Sequence, residues 1–167
     1  VLIINNWQKD RISKLIVNSL FGTVSDKKIA VLGFSFKANT NDTRNSPCIK
    51  ICKDLIEEGA ILSIYDPKVS KKQIEEDLGS SSNDLEIYFK NEAWTYSKSI
   101  ESSIKDSHAI IILTDWSEFK NLEWDLLFKK MQRPAWIFDT RYIVDAKILQ
   151  KIGFNVWQIG NYSNSNL

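Results

Sequence analysis

The sequence predicts an α/β protein with a doubly wound, mostly parallel six-stranded Rossmann-like sheet and helices on both faces. Three observations carry this prediction. Short apolar runs of strand length alternate about six times with segments of helical periodicity. Residues 109–113 are three isoleucines between an alanine and a leucine, an apolar run typical of a central parallel strand buried on both faces. Glycine or proline follows several of these runs and separates them from the next element.

The first helix is predicted from apolar residues at helical spacing, namely Ile12, Leu15, Ile16 and Leu20. It lies close to the start of the chain, and one interpretation assigns it to a larger upstream element. The chain begins with Val1 rather than Met, which is typical of a fragment or a processed product. Residues 161–167 are polar, which predicts a frayed, flexible tail.

Strands and helices then alternate along the chain. Strands are predicted at residues 28–33, 61–65, 85–89, 109–113, 135–138 and 154–158. One helix is predicted to begin at Pro47, behind the N-cap Ser46, and to stop at Gly59. Further helices are predicted at residues 71–78, 94–104, 122–131 and 145–151. In such a sheet ligands bind beyond the carboxyl ends of the strands, so the residues directly after each strand are the candidates for function.

The charge balance excludes one class of function. The chain has 22 basic and 21 acidic residues and a formal net charge of +1. Binding nucleic acid by bulk charge needs clustered Lys and Arg, so no nucleic-acid partner is expected, although a local phosphate site stays open.

No apolar stretch approaches the roughly 18 residues that span a bilayer, so no membrane partner is expected. Two unpaired thiols favour a reducing cytoplasm.

The turn after the first predicted strand lacks the dinucleotide fingerprint. That fingerprint needs three glycines, and only Gly33 is present. The turn is therefore not expected to hold a cofactor pyrophosphate. Asp66 ends the second strand, where a dinucleotide fold places its ribose-binding acid. Without the glycines, and followed by proline, Asp66 is interpreted as a turn residue.

Three cations follow strands at the same predicted edge. Lys37 and Arg44 lie in the polar loop after the first strand, and Arg141 follows the fifth. Arg can bind a phosphate or carboxylate through two nitrogens, and Lys can act as a point charge. Together they favour an anionic ligand, while ordinary solvated surface charge remains the alternative.

The cysteines and the single histidine give no catalytic or metal signal. Cys48 and Cys52 lie four residues apart on one predicted helix without a second Cys or His pair, so no metal site is expected. Cys48 lies near a helix N-terminus, which can lower the pKa of a thiol, but a half-buried structural thiol is favoured. For His108, the single histidine, no Ser–His–Asp or Cys–His arrangement can be argued from the sequence.

In their order and spacing, several short motifs resemble those of a known family. They comprise residues 19–24, 27–34, 36–37, 40, 42–44, 64–69, 114–116, 119–120 and 138–141. With these motifs the chain resembles the C-terminal, UDP-sugar-binding domain of UDP-glucose 6-dehydrogenases, in the UDP-glucose/GDP-mannose dehydrogenase family. The resemblance covers residues 12–160, nearly the whole chain.

The resemblance implies the following activity and site. Such enzymes oxidise the C6 alcohol of the sugar twice, using two NAD molecules, to give the UDP-uronic acid. An N-terminal domain holds the NAD, and a central helical region supplies the nucleophilic cysteine. By position, Phe36, Lys37 and Arg141 are implied to bind the UDP-sugar, with Phe36 packing on the ligand. Arg44 is implied to face the NAD across the domain cleft.

The resemblance also implies what this chain does not carry. No catalytic residue is expected in it, because neither cysteine stands in the family's nucleophile segment, and the chain alone is expected to be inactive. Residues 1–22 are implied to end the central linking helix, and residues 23–160 to form the UDP-sugar-binding domain. The expected partners are UDP-glucose, the remainder of the same enzyme and further copies in a homo-oligomer. Two alternatives stay open: a stand-alone nucleotide-sugar-binding or assembly module without catalysis, and a GDP-mannose-type dehydrogenase domain.

Overall fold

A computed structural model describes residues 6–79 and 93–160 of the chain. The helices are α1 (Asn6–Ser19), α2 (Pro47–Glu57), α3 (Lys71–Leu78), α4 (Ile100–Ile104), α5 (Trp124–Lys129) and α6 (Ala146–Ile152). The strands are β1 (Lys28–Leu32), β2 (Ile61–Tyr65), β3 (Trp94–Tyr96), β4 (Ala109–Ile112), β5 (Trp136–Asp139) and β6 (Asn155–Gln158). A short 3₁₀ turn, Ser117–Phe119, follows β4.

The described strands form one sheet in the order β3-β2-β1-β4-β5-β6. Every neighbouring pair is parallel, so the predicted doubly wound α/β architecture is confirmed and the predicted mostly parallel sheet is wholly parallel in the described part of the chain. The order reverses between β1 and β4, which pair from Ile29 with Ala109 to Leu32 with Ile112. This reversal is the topological switch point, where such folds bind their ligands.

Alternation along β1 and β4 gives the sheet two buried faces. Ile29, Val31 and Ile111 pack into one core cluster with side chains of α1, α2 and α3. Leu32 and Ile112 pack into a second cluster with side chains of α4, the 3₁₀ turn, α5 and α6. Because both faces are covered by helices, both sets of alternating positions are apolar, which is why the sequence shows continuous apolar runs here.

The helix predicted at residues 94–104 is wrong over its first half. Trp94, Thr95 and Tyr96 form the edge strand β3, in which Leu62 pairs with Trp94. The helix begins only after Ser99, whose hydroxyl accepts a hydrogen bond from the Ser102 backbone nitrogen as an N-cap. Aromatic and β-branched side chains favour a strand, and pairing with β2 decides the matter. The strand predicted at residues 85–89 lies outside the described residues.

Gly33 allows β1 and β4 to come close at the switch point. Its φ is +94°, a left-handed conformation that side chains with a Cβ rarely adopt. A Cβ on Gly33 would overlap the Thr114 hydroxyl and lie 2.9 Å from the Thr114 backbone nitrogen. Glycine is therefore required here by close packing of two loops, and the sequence motif that contains it has a steric reason.

We expect Gly33→Ala to destabilise the fold strongly. Backbone strain and overlap with Thr114 together lower the free energy of unfolding by about 3 kcal/mol or more, measured by urea denaturation. Gly22→Ala is the matched control, because Gly22 has a φ of +79° but no atom within 4 Å of a built Cβ. In the control, only the left-handed backbone conformation lowers the free energy of unfolding, by about 1–2 kcal/mol. Equal losses in the two variants would contradict the steric explanation.

Candidate functional site at the carboxyl edge of the sheet

Phe36 and Lys37 lie at an exposed tip of the loop that follows β1. The loop is closed by a backbone hydrogen bond of 2.7 Å from the Phe36 nitrogen to the Asp42 carbonyl. The Ser35 hydroxyl donates to the Lys37 carbonyl at 2.8 Å, which fixes the turn between them. Phe36 is 40% exposed although it is a large apolar side chain. The loop thus presents an aromatic ring and a cation side by side beyond β1.

Asp66 holds the base of this loop. Its buried carboxylate accepts hydrogen bonds from the backbone nitrogens of Phe34 and Ser35 at 2.8 and 3.1 Å. The other oxygen accepts from the backbone nitrogens of Lys68 and Val69, both at 2.9 Å. The interpretation of Asp66 as a turn residue is confirmed, and its turn also anchors the neighbouring loop. With four backbone donors around it, this carboxylate has no edge left for a ribose.

Arg44 lies at the far end of the same loop, just before α2. Its Nε and Nη2 contact the Asp42 carboxylate at 3.0 and 2.8 Å, and its side chain is 87% exposed. The guanidinium holds the pKa of Asp42 down at about 2. Part of the Arg44 charge is therefore already balanced within the loop, while its outer edge faces solvent.

Asp139 anchors the loop that carries Arg141. This fully buried carboxylate ends β5 and accepts hydrogen bonds from the backbone nitrogens of Arg141, Ile143 and Val144 at 2.8–3.0 Å. The Gln158 side-chain amide donates to it at 2.9 Å. Four donors converge on one carboxylate, so the chain leaving β5 has a fixed path and the start of the Arg141 side chain has a fixed position.

Thr140 directly follows β5 and joins it to the end of β4. Thr140 does not adopt a positive φ, whereas Tyr142 two residues later does, at +58°. The Thr140 hydroxyl donates to the Ile112 carbonyl at 2.7 Å and its backbone nitrogen donates to the same carbonyl at 3.2 Å. The side chain thereby ties β5 to the end of β4.

Arg141 reaches from the end of β5 over the end of β4. Its Nη2 lies 3.3 Å from an oxygen of Asp115, which follows β4. Its positive charge also lowers the pKa of the Cys48 thiol at the start of α2, against the larger effect of burial. The guanidinium therefore sits near the switch point, between the loops that follow β1, β4 and β5.

The two cysteines are buried packing residues. Cys48 and Cys52 are free thiols with no exposed surface. Burial raises the pKa of Cys48 to about 12 and that of Cys52 well above its usual value. A thiol that stays protonated is a poor nucleophile, so the favoured interpretation as structural thiols is confirmed. Within residues 6–79 and 93–160, no group of three His, Cys, Asp or Glu side chains is placed to hold a metal ion.

The cations at this edge are predictable from the sequence, but the carboxylates that anchor their loops are not. Lys37, Arg44 and Arg141 all lie beyond the carboxyl ends of β1 and β5, as predicted from strand positions. Their anchors, Asp66 and Asp139, each directly follow or end a strand, which was the only available signal. No sequence pattern distinguishes such an acid from an ordinary turn residue.

The fold and this edge define the class of the protein: a Rossmann-like α/β domain with cationic loops at its switch point. A family model described as the UDP-binding domain of the UDP-glucose/GDP-mannose dehydrogenase family matches residues 30–146. The chain therefore belongs to the UDP-glucose/GDP-mannose dehydrogenase family, whose UDP-binding domain it contains.

Known relatives agree with this assignment. The chain is 46% identical to UDP-glucose 6-dehydrogenase 3 of Arabidopsis thaliana and 47% identical to UDP-glucose 6-dehydrogenase of Caenorhabditis elegans, each match covering 96% of the chain. The chain spans only 35% and 33% of those proteins. It therefore corresponds to about a third of such a dehydrogenase.

Solved structures show the same fold. The UDP-D-ManNAc dehydrogenase from Pyrococcus horikoshii matches 94% of the chain with a TM-score of 0.70 at 28% identity, and 32% of that protein is covered. The UDP-N-acetyl-mannosamine dehydrogenase Cap5O from Staphylococcus aureus matches 95% of the chain with a TM-score of 0.65 at 25% identity, and again 32% of that protein is covered.

We expect Asp139→Asn to lower the free energy of unfolding by about 2–4 kcal/mol in urea denaturation, because one amide N–H₂ must then face a backbone N–H donor in a buried site. Asp145→Asn is the matched control. Asp145 is the exposed N-cap of α6, accepting from Lys147 and Ile148, and Asn caps helices as well as Asp does. A loss for Asp139→Asn no larger than that of the control would contradict the anchoring role.

Proposed function

We propose that this chain is the substrate-binding C-terminal domain of an NAD-dependent UDP-glucose 6-dehydrogenase, which oxidises UDP-glucose to UDP-glucuronate in two hydride-transfer steps. The observation that carries the proposal is the cationic edge at the switch point, in a domain of the family named for UDP binding. The relatives named UDP-glucose 6-dehydrogenase support UDP-glucose as the substrate.

Each candidate residue has a role in this proposal. Phe36 packs on the ligand, and its position supports this, because its 40% exposed ring lies beyond β1 where a ligand at the carboxyl edge can reach it. Lys37 supplies a point charge, and Arg141 supplies directional donors to the phosphates of the UDP-sugar. The positions of their loops, after β1 and β5 on either side of β4, support a ligand lying across the switch point.

The NAD and the chemistry of oxidation come from the remainder of the enzyme. NAD, one molecule for each hydride, would supply the oxidant. Of the residues described here, Arg44 would face it, because its exposed guanidinium edge suits an anionic group of a cofactor held opposite. No thiol described here is suited to attack the sugar aldehyde, since Cys48 and Cys52 are buried. The domain thus binds, orients and shields the substrate, and the isolated chain is proposed to be inactive.

The proposed architecture and setting follow the family. Residues 1–22 end the central linking helix, and residues 23–160 form the UDP-sugar-binding domain. Ile12, Ile16 and Leu20 pack into the same core cluster as β1, so the helix is rigidly joined to the domain.

The whole enzyme is proposed to be a homo-oligomer. Two free thiols support a reducing compartment, the cytoplasm. Among the described residues, no helix is long and apolar enough to cross a membrane.

We expect the 167-residue chain to bind UDP in titration calorimetry, and Lys37→Ala or Arg141→Ala to weaken that binding by about tenfold or more, because each removes a charge-assisted contact to phosphate. Lys151→Ala is the control: Lys151 is an exposed cation in the last turn of α6, which leads into the start of β6 at the opposite edge of the sheet. A uniform loss in all three variants would indicate general charge attraction rather than a site.

For an intact enzyme containing this domain, we expect two NAD reduced per UDP-glucose consumed. Oxidation of an alcohol to a carboxylate removes two hydrides, and each NAD accepts one. Absorbance of NADH against chromatographic loss of UDP-glucose measures the ratio, and GDP-mannose and UDP-N-acetylmannosamine serve as comparison substrates. A ratio of one, or preference for either comparison sugar, would overturn the proposed activity.

A further inference from the structure

We propose that Asp115 is a positioning residue for Arg141: its carboxylate orients the guanidinium so that the remaining donors face the phosphates of a nucleoside diphosphate sugar. The inference rests on the proposed function, in which Arg141 binds the UDP-sugar. Asp115 follows the carboxyl end of β4, acts through Arg141 and does not itself contact the ligand.

Asp115 and Arg141 follow neighbouring strands, and the backbone at Arg141 is held in place. In the sheet, Ile112 of β4 pairs with Asp139 of β5. Beyond that pair, Thr140 bonds back to the Ile112 carbonyl through both its hydroxyl and its backbone nitrogen. The Arg141 backbone nitrogen donates to the buried Asp139 carboxylate at 3.0 Å. The backbone is therefore rigid at the base of Arg141, and only the side chain itself needs a partner to fix its direction.

The contact with Asp115 uses a small part of the guanidinium. The ion pair consists of one contact, Nη2 to Oδ1 at 3.3 Å, with the side chains of Arg141 and Asp115 exposed by 26% and 44%. A guanidinium has five N–H donors, and within the described residues Asp115 is the one side chain that accepts from Arg141. Most donors therefore remain for a phosphate, which prefers paired N–H groups.

Arg44 gives the contrast within the same molecule. There, Nε and Nη2 both contact the Asp42 carboxylate, at 3.0 and 2.8 Å, so one full edge of the guanidinium is occupied. The Arg141 pair is longer and has a single contact. An exposed pair of that geometry contributes little to stability, but it restricts the directions that a long side chain explores.

Orientation and simple electrostatics predict opposite results when Asp115 is removed. A carboxylate beside an anion site repels the anion, so its loss should tighten UDP binding if charge alone matters. If Asp115 orients Arg141, its loss frees the side chain and weakens binding, because the guanidinium must then be ordered when the ligand binds. The sign of the change therefore separates the two roles.

The experiment titrates UDP into the 167-residue chain and its variants by calorimetry. We expect Asp115→Ala to raise the dissociation constant for UDP about fivefold. A change of this size is typical of the interaction energy between two residues in contact. Asp115→Asn retains an oxygen that accepts from Nη2, so its affinity equals or exceeds that of the wild type. Should Asp115→Ala lower the melting temperature, Asp115→Ser replaces it in the same comparison.

A double-mutant cycle tests whether Asp115 acts through Arg141. In the Arg141→Ala background, we expect Asp115→Ala to leave the affinity for UDP unchanged or slightly tighter. Unchanged or tighter binding by the single Asp115→Ala variant would overturn the inference, and so would an equal weakening in both backgrounds. The proposed function fails separately, if the wild-type chain binds no UDP or if Arg141→Ala binds it as well as the wild type.

Discussion

Where the chain leaves the end of a buried strand, its backbone N–H groups lose their partners in the sheet and need other acceptors. In this protein two buried carboxylates accept hydrogen bonds from these groups. Asp66 accepts four backbone N–H groups at the ends of β1 and β2, and Asp139 accepts three at the end of β5. A buried carboxylate is tolerated only when it is surrounded by donors in this way. The carboxyl edge is thus held by many hydrogen bonds, and the candidate ligand-binding loops start from it.

The same edge explains why exposed cations can form a site in a nearly neutral protein. Lys37 and Arg141 project from loops whose bases are fixed, so their charges are held beside the switch point. Gly33 brings the ends of β1 and β4 close enough for this, because a side chain at its position would overlap Thr114. A site preorganised for an anion needs this arrangement, in which the backbone of each loop is fixed and the charged end of its side chain is left for the ligand.

Under the proposed function, this domain holds and covers a substrate rather than transforming it. Its buried thiols stay protonated, and its acids near the edge are used to bind backbone groups or cations. This agrees with a chain that spans about a third of its dehydrogenase relatives. The division of labour places binding and orientation here, and oxidation in the rest of the proposed enzyme.

The sequence by itself determined the α/β class, five of the six described strands and the placement of Lys37, Arg44 and Arg141 after strands. It could do so because burial of a strand on both faces gives a continuous apolar run, and burial of one face of a helix gives apolar residues at helical spacing. The tertiary structure decided that Trp94 begins a strand, since a three-residue strand is too short to show a clear period in the sequence and is defined by its pairing with β2. It also decided that Asp139 is an anchor and that Asp115 meets Arg141, because these contacts join residues from separate elements whose distances only the folded chain fixes.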